Sequence, residues 1–191
     1  DFLDAHADRL ACDAIIIGDG GNWAPGVPGI TTSLRGLVDT TITVRTLRYA
    51  VHSGTFGGTY PDAITALGRI IARLHHDDGT VAVEGLVEGD VEGPEITEAE
   101  LEEQMLPVDG LQLMGSGPIT GRVWRRPAIS VLAVDAVPIA EAINQLVPEA
   151  RAKISMRIPP GQDSGAAAAA LRRHILDSAP CFQVGLISKR I

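Results

Sequence analysis

The chain has 191 residues, 45% of them hydrophobic and 21% charged, and carries a formal net charge of -8. That length gives one generous domain or two very small ones, and the acidity excludes the basic face that nucleic-acid binding requires. No apolar run approaches the ~18 residues of a membrane span. Asp1-Phe2-Leu3-Asp4 lacks the basic start of a secretory signal, and Cys12 and Cys181 are too few to staple a secreted fold, which points to the cytoplasm.

The first 12 residues place Phe2, Leu3, Ala7 and Leu10 at helical spacing. Ala14-Ile15-Ile16-Ile17-Gly18 follows, a wholly apolar run with the pattern of a strand buried on both faces of a parallel sheet. No second run of this kind appears, so this strand has lost its neighbours. From Thr31 to Leu47 the pattern becomes an alternation: Leu34, Val38, Ile42 and Val44 oppose Arg35, Asp39, Thr41, Thr43 and Arg45. It predicts a long antiparallel strand with one wet face.

A glycine-rich turn (Ser53 to Tyr60) leads to Pro61, which opens a helix with the stripe Ile64, Leu67, Ile71 and Leu74. The helix ends near His75-His76-Asp77-Asp78-Gly79. Residues 80–127 are less regular, apart from a capping box at Thr97-Glu98-Ala99-Glu100 that starts a short acidic helix to about Met105. Strands return at Ala128–Asp135 and Arg151–Ile158. In the second, Ala152, Ile154, Met156 and Ile158 alternate with Arg151, Lys153, Ser155 and Arg157. Asp163 or Ser164 caps an alanine-rich helix through Ser178, and a strand over Phe182–Ile187 closes the set. The order from Thr31 onward is β-α-β-β-α-β, the ferredoxin-like α+β plan of a four-stranded antiparallel sheet with two helices on one face.

Several segments together resemble one family. They are Asp19-Gly20-Gly21-Asn22-Trp23, Pro28-Gly29-Ile30-Thr31-Thr32-Ser33-Leu34-Arg35-Gly36, His52-Ser53-Gly54-Thr55-Phe56-Gly57-Gly58, Trp124-Arg125-Arg126-Pro127-Ala128-Ile129-Ser130 and the stretch from Asn144 to Arg157. The resemblance is to the lid, or dimerisation, domain of carnosinase-like dipeptidases. These belong to the two-zinc family that includes aminoacylase, succinyl-diaminopimelate desuccinylase and glutamate carboxypeptidases. It implies that residues 1–30 are a remnant of an α/β catalytic domain with its hinge, and that residues 31–191 are the lid.

Family members hydrolyse an amide bond with a water shared by two zinc ions, which lower its pKa and polarise the carbonyl. Carried over by the resemblance, Asp19 matches a carboxylate ligand to one zinc. His52 matches a lid histidine that reaches into the partner subunit's site and stabilises the oxyanion. Asn144 matches a polar residue acting beside it, and Arg157 an arginine that clamps the substrate's free carboxylate. Gly54, Gly57 and Gly58 serve the geometry of the turn. The resemblance also implies a homodimer joined through the helix 61–76 and an edge strand, expected to be the strand before that helix, and a small peptide as substrate.

The family's other zinc ligands and its glutamate base have no counterparts here. His6-Ala7-Asp8 has a ligand-like spacing but falls on a predicted helix, His75-His76-Asp77-Asp78 suits solvated histidines at a helix end, and His174 reads as a surface residue. The chain alone is therefore expected to bind no zinc and to be inactive. A free-standing ferredoxin-like binding or interaction module is the alternative, and the orphan strand speaks against it. A nucleotide site at Gly18-Asp19-Gly20-Gly21 misses the dinucleotide spacing, and Pro25 and Pro28 interrupt the helix it would need.

Overall fold

The computed structural model describes residues 2–16, 26–89, 94–179 and 183–190. The chain divides into two units, Asp1–Leu34 and Arg35–Ile191. The first carries two single-turn helices, α1 (Phe2–Ala5) and α2 (Ala7–Leu10). In place of the expected buried strand, Ala14, Ile15 and Ile16 adopt no regular structure, and Ile16 is 96% exposed. A strand without neighbours leaves its backbone groups unpaired, so hydrophobicity alone does not hold it extended. Ile17 and Gly18 lie outside the described residues.

The second unit contains, in chain order, β1 (Gly36–Arg45), β2 (Val51–His52), α3 (Ser53–Phe56), α4 (Ala63–Ala72), α5 (Glu98–Met105) and α6 (Ile119–Trp124). There follow β3 (Ala128–Asp135), a 3-10 turn (Ile139–Glu141), β4 (Gln145–Leu146), β5 (Glu149–Ile158), α7 (Ser164–Asp177) and β6 (Gln183–Arg190). The main sheet has the order β3-β5-β1-β6 and its ladders are antiparallel. With α4 between β1 and β3, and α7 between β5 and β6, this is the split βαβ arrangement. A separate two-stranded ladder joins β2 to β4.

The alternation sets the faces. Val38, Thr40, Ile42 and Val44 of β1, with Ala150, Ala152, Ile154, Met156 and Ile158 of β5, are buried under the helices. The opposite parity, including Arg151, Lys153 and Arg157, forms an open face. Helix α4 packs against β5 and β1, and α7 against β1 and β6. The α4 stripe differs from the expected one. Ala63, Ala66, Leu67, Ile70 and Leu74 are buried, whereas Ile64 is 41% exposed and Ile71 only partly covered. Small side chains on both α4 and β5 allow the two backbones to approach, and that contact turns Ile64 outward.

The caps follow the sequence. The Asp62 carboxylate accepts from the Thr65 N–H at 2.9 Å and starts α4, Asp163 caps α7, and Thr97 with Glu100 forms a complete capping box on α5. One expectation is corrected: β1, the strand before α4, is interior, and the edges of the sheet are β3 and β6. Because α4 covers β5 and β1, the edge beside it is β3.

Candidate functional site

Beyond the Arg45 end of the sheet, the chain returns past a segment stitched to it on both sides. The Thr46 N–H donates to the Pro148 carbonyl at 3.0 Å, the Ala63 N–H to that of Val147 at 2.9 Å, and the Ser53 N–H to that of Asn144 at 2.9 Å. Between these bonds, Val51 pairs with Leu146 and His52 with Gln145. His52 and Asn144, far apart in sequence, are thus brought together by backbone pairing, and both are exposed.

His52 is the N-cap of α3, and its Nδ1 accepts a hydrogen bond from the Gly54 N–H at 3.1 Å. With Nδ1 acting as acceptor, the ring proton of the neutral imidazole sits on Nε2, which is left as a donor. Two glycines are closely approached, Gly57 by backbone and Gly54 by the His52 ring. A Cβ on Gly54 would lie 2.9 Å from His52 Cε1, and one on Gly57 would lie 2.4 Å from the Ser53 carbonyl oxygen.

Arg157 sits on the open face of β5, paired across to Leu37 of β1 and Ala128 of β3. It makes no ion pair among the described residues, whereas Asp39 and Glu149 of the same face have partners. Asp39 lies 3.6 Å from the Lys153 ammonium, and Glu149 bridges Arg45 and Arg151. Hydrogen bonds from Arg151 and Arg45 hold the Glu149 carboxyl below its ordinary pKa. Near Arg157 stands Arg35, whose Nη1 donates to the Val123 carbonyl at 2.7 Å and Nη2 to that of Arg126 at 2.9 Å. Its Nε is buried without a hydrogen-bond partner. Burial, and then the positive charge of Arg157, hold the Arg35 pKa below the usual arginine value.

The expected site residues therefore fall into two places. Arg157 is eight residues along β5 from Glu149, about 26 Å at ~3.3 Å per residue, so the sheet separates it from the His52–Asn144 end. Asp19 lies outside the described residues. Among the described residues there is no group of three or more His, Cys, Asp or Glu side chains that could hold a metal ion. A cleft of about 200 Å³ lined in part by His75, Thr80, Glu88, Met114, Arg122 and Arg126 includes none of His52, Asn144 and Arg157. Among the described residues no helix is long and apolar enough to cross a membrane. Sequence reasoning missed the fork of Arg35 and the Ser53–Asn144 bond. The sequence signals for Arg35 are its parity with the open face of β1 and its place in the Pro28–Gly36 motif, and neither shows what its guanidinium binds.

The comparisons agree with this architecture. A family model described as the peptidase dimerisation domain matches residues 32–180. A cysteinylglycine-S-conjugate dipeptidase of Corynebacterium striatum is 36% identical over 182 residues, covering 94% of this chain and 40% of that protein. The chain thus spans less than half the length of this curated relative. Among solved structures, an M20 family metallo-carboxypeptidase of Sulfolobus solfataricus superposes with a TM-score of 0.74 at 17% identity, over 98% of this chain and 51% of that one. Human carnosine dipeptidase 1 gives a TM-score of 0.64 at 18% identity, over 82% and 36% of the two chains. At these identities the solved structures speak to the fold alone, and with the matched model the conclusion is direct: this chain belongs to the M20 peptidase dimerisation-domain family.

Proposed function

We propose that this chain is the dimerising, substrate-clamping lid of a zinc-dependent cytoplasmic dipeptidase, with residues 1–30 a piece of the catalytic domain and hinge. In this reading the zinc ions and the general base belong to the catalytic domain, Asp19 supplies one ligand, and the isolated chain neither binds zinc nor hydrolyses peptides. The substrate is a dipeptide or N-acyl amino acid with a free carboxylate. The similar Corynebacterium striatum protein, a cysteinylglycine-S-conjugate dipeptidase, favours a dipeptide.

The observation that carries the reading is the arrangement at His52. A backbone N–H fixes the acceptor nitrogen, leaving the Nε2–H as an exposed donor beside Asn144. A donor held in advance at the place where negative charge develops lowers the barrier without reorganisation. The distance along β5 supports a division of labour between two sites. Arg157 clamps the carboxylate at its own protomer's site, while His52 and Asn144 reach into the partner's. A two-fold dimer built through α4 and the β3 edge would exchange those ends.

Hybrid dimers of the full-length protein test this. His52→Ala and Arg157→Ala variants are each expected to be nearly inactive. Mixed and allowed to exchange subunits, they should recover about a quarter of wild-type activity, since half the dimers are hybrid and each hybrid holds one intact site. No recovery, with exchange verified, would place both residues in one protomer's site and overturn the proposal.

A further inference from the structure

We propose that Arg35 is a positioning residue for the carboxylate clamp: a fixed positive charge that keeps Arg157 unneutralised and selective for a free carboxylate. This rests on the reading of Arg157 as the clamp.

The placement comes from register. Arg35 stands two residues before Leu37, the neighbour of Arg157 on β1, and shares its parity. Its guanidinium binds the carbonyls of Val123 and Arg126, and Arg126 stands two residues before Ala128, the neighbour of Arg157 on β3. One side chain therefore ties together the approaches to both strands that flank Arg157. The planar fork suits two divergent carbonyls in a way that a lysine ammonium does not.

The electrostatics follow. Each terminal nitrogen of Arg35 donates to a backbone carbonyl and its Nε is buried, which fixes the guanidinium in place as a positive charge beside Arg157. Arg157 is exposed and pairs with no carboxylate among the described residues; Asp39, the acid diagonal to it on β1, lies against Lys153. Two like charges held together without an acid repel each other. An arriving carboxylate relieves that repulsion and a neutral carboxamide does not. Arg35 thereby raises the preference for a substrate that ends in a carboxylate while touching none of its atoms.

The test uses full-length protein and a reduced-amide analogue of an S-alkyl-cysteinylglycine dipeptide, prepared as free acid and as C-terminal amide. Dissociation constants are measured by calorimetry at low and high salt. Arg35→Met is expected to weaken acid binding about three- to tenfold at low salt and to leave amide binding unchanged, with the difference shrinking as salt screens the charge. Arg35→Lys keeps the charge and should retain most of the preference for the acid. Arg157→Met is the reference and should abolish that preference. If Arg157→Met abolishes it and Arg35→Met leaves it intact, the inference about Arg35 fails alone. Equal weakening of acid and amide by Arg35→Met shows a merely structural role and overturns it too. An undiminished preference in Arg157→Met defeats the clamp reading itself.

Discussion

The backbone N–H of Ser53 donates a 2.9 Å hydrogen bond to the carbonyl oxygen of Asn144, and this bond holds the two exposed polar side chains of the candidate site at one place. Ser53 is also the first residue of α3, a position where proline is tolerated because that N–H has no partner inside the helix. The preceding residue, His52, is already extended, at φ -65° and ψ 121°, as a residue before proline must be. Ser53→Pro removes the donor and sets the ring Cδ where the N–H pointed, so the Asn144 carbonyl must also move away. It should cost about 1–3 kcal/mol in urea unfolding and lower kcat of the full-length enzyme. Wild-type kcat in a variant shown to be destabilised would mean that the position of Asn144 does not matter for catalysis.

Gly54 is linked to His52 more tightly than sequence proximity requires. A Cβ there would approach the imidazole to 2.9 Å at Cε1 and 3.2 Å at Nδ1. The ring is exposed and can swing aside, so Gly54→Ala should change stability by less than about 1 kcal/mol. It should nonetheless reduce kcat, because a displaced ring loses the bond that fixes its Nε2–H. Removing an oxyanion donor outright costs about 100- to 1000-fold, which sets the floor expected for His52→Ala, with Gly54→Ala between that and wild type. Equal kcat for Gly54→Ala and wild type would count against the orientation argument.

Asp62 gives the lid an acid-sensitive helix start. Partial burial pushes its pKa up, but hydrogen bonds from the Thr65 hydroxyl and N–H, with others from nearby backbone, outweigh this and hold it below the ordinary carboxyl value. A depressed folded-state pKa contributes stability that is fully present above the unfolded value, about 3.9, and is lost as pH falls through the folded one. Asparagine caps a helix about as well as aspartate but carries no charge to favour the N-terminus, a contribution of roughly 0.3–1 kcal/mol. Asp62→Asn should therefore be slightly less stable than wild type at pH 7, with the gap closing at pH 3. A gap in urea midpoints that does not change with pH would show that the charge of Asp62 contributes nothing.

Period-two burial made the sheet legible. Val38, Ile42 and Val44, and Ala152, Ile154, Met156 and Ile158, read inward from the sequence and are inward, and Arg157 reads outward and is outward, whereas Leu34, of the same parity as Val38, precedes the start of β1 and is exposed. Caps at Thr97 and Asp163 were equally local and equally legible. The inward side of α4 was not, since Ile64, Ile70 and Ile71 are chemically alike and close packing against β5 decides among them. Helix α6 and strand β4 are too short to show a period, and β4 exists because β2 lies beside it. At the site, His52 stood out only through the motif around it. The carbonyls that Arg35 binds lie 88 and 91 residues further along the chain, a relation no spacing rule encodes.

The uncovered side of β3 yields the last prediction. Val131 and Val134 pair with Ile154 and Ala152, which places them on the helix-bearing side of the sheet, yet they are 39% and 57% exposed. Helix α4 sits over β5 and β1 and leaves this margin bare, with Ile64 exposed on α4 itself. An edge strand with an apolar margin is a ready partner for another strand. A second copy laid antiparallel along β3 would extend the sheet and bury both margins at once, an isologous contact of two-fold symmetry. Val134→Lys puts a charge at the centre of that contact but on the open margin of a single lid, where substitutions usually change stability by less than about 0.5 kcal/mol. The variant should sediment as a folded monomer with unchanged far-ultraviolet dichroism, and the full-length enzyme should lose activity with its dimer, because His52 then has no partner site to enter. A Val134→Lys protein that stays dimeric at micromolar concentration would exclude β3 and move the interface to the β6 edge.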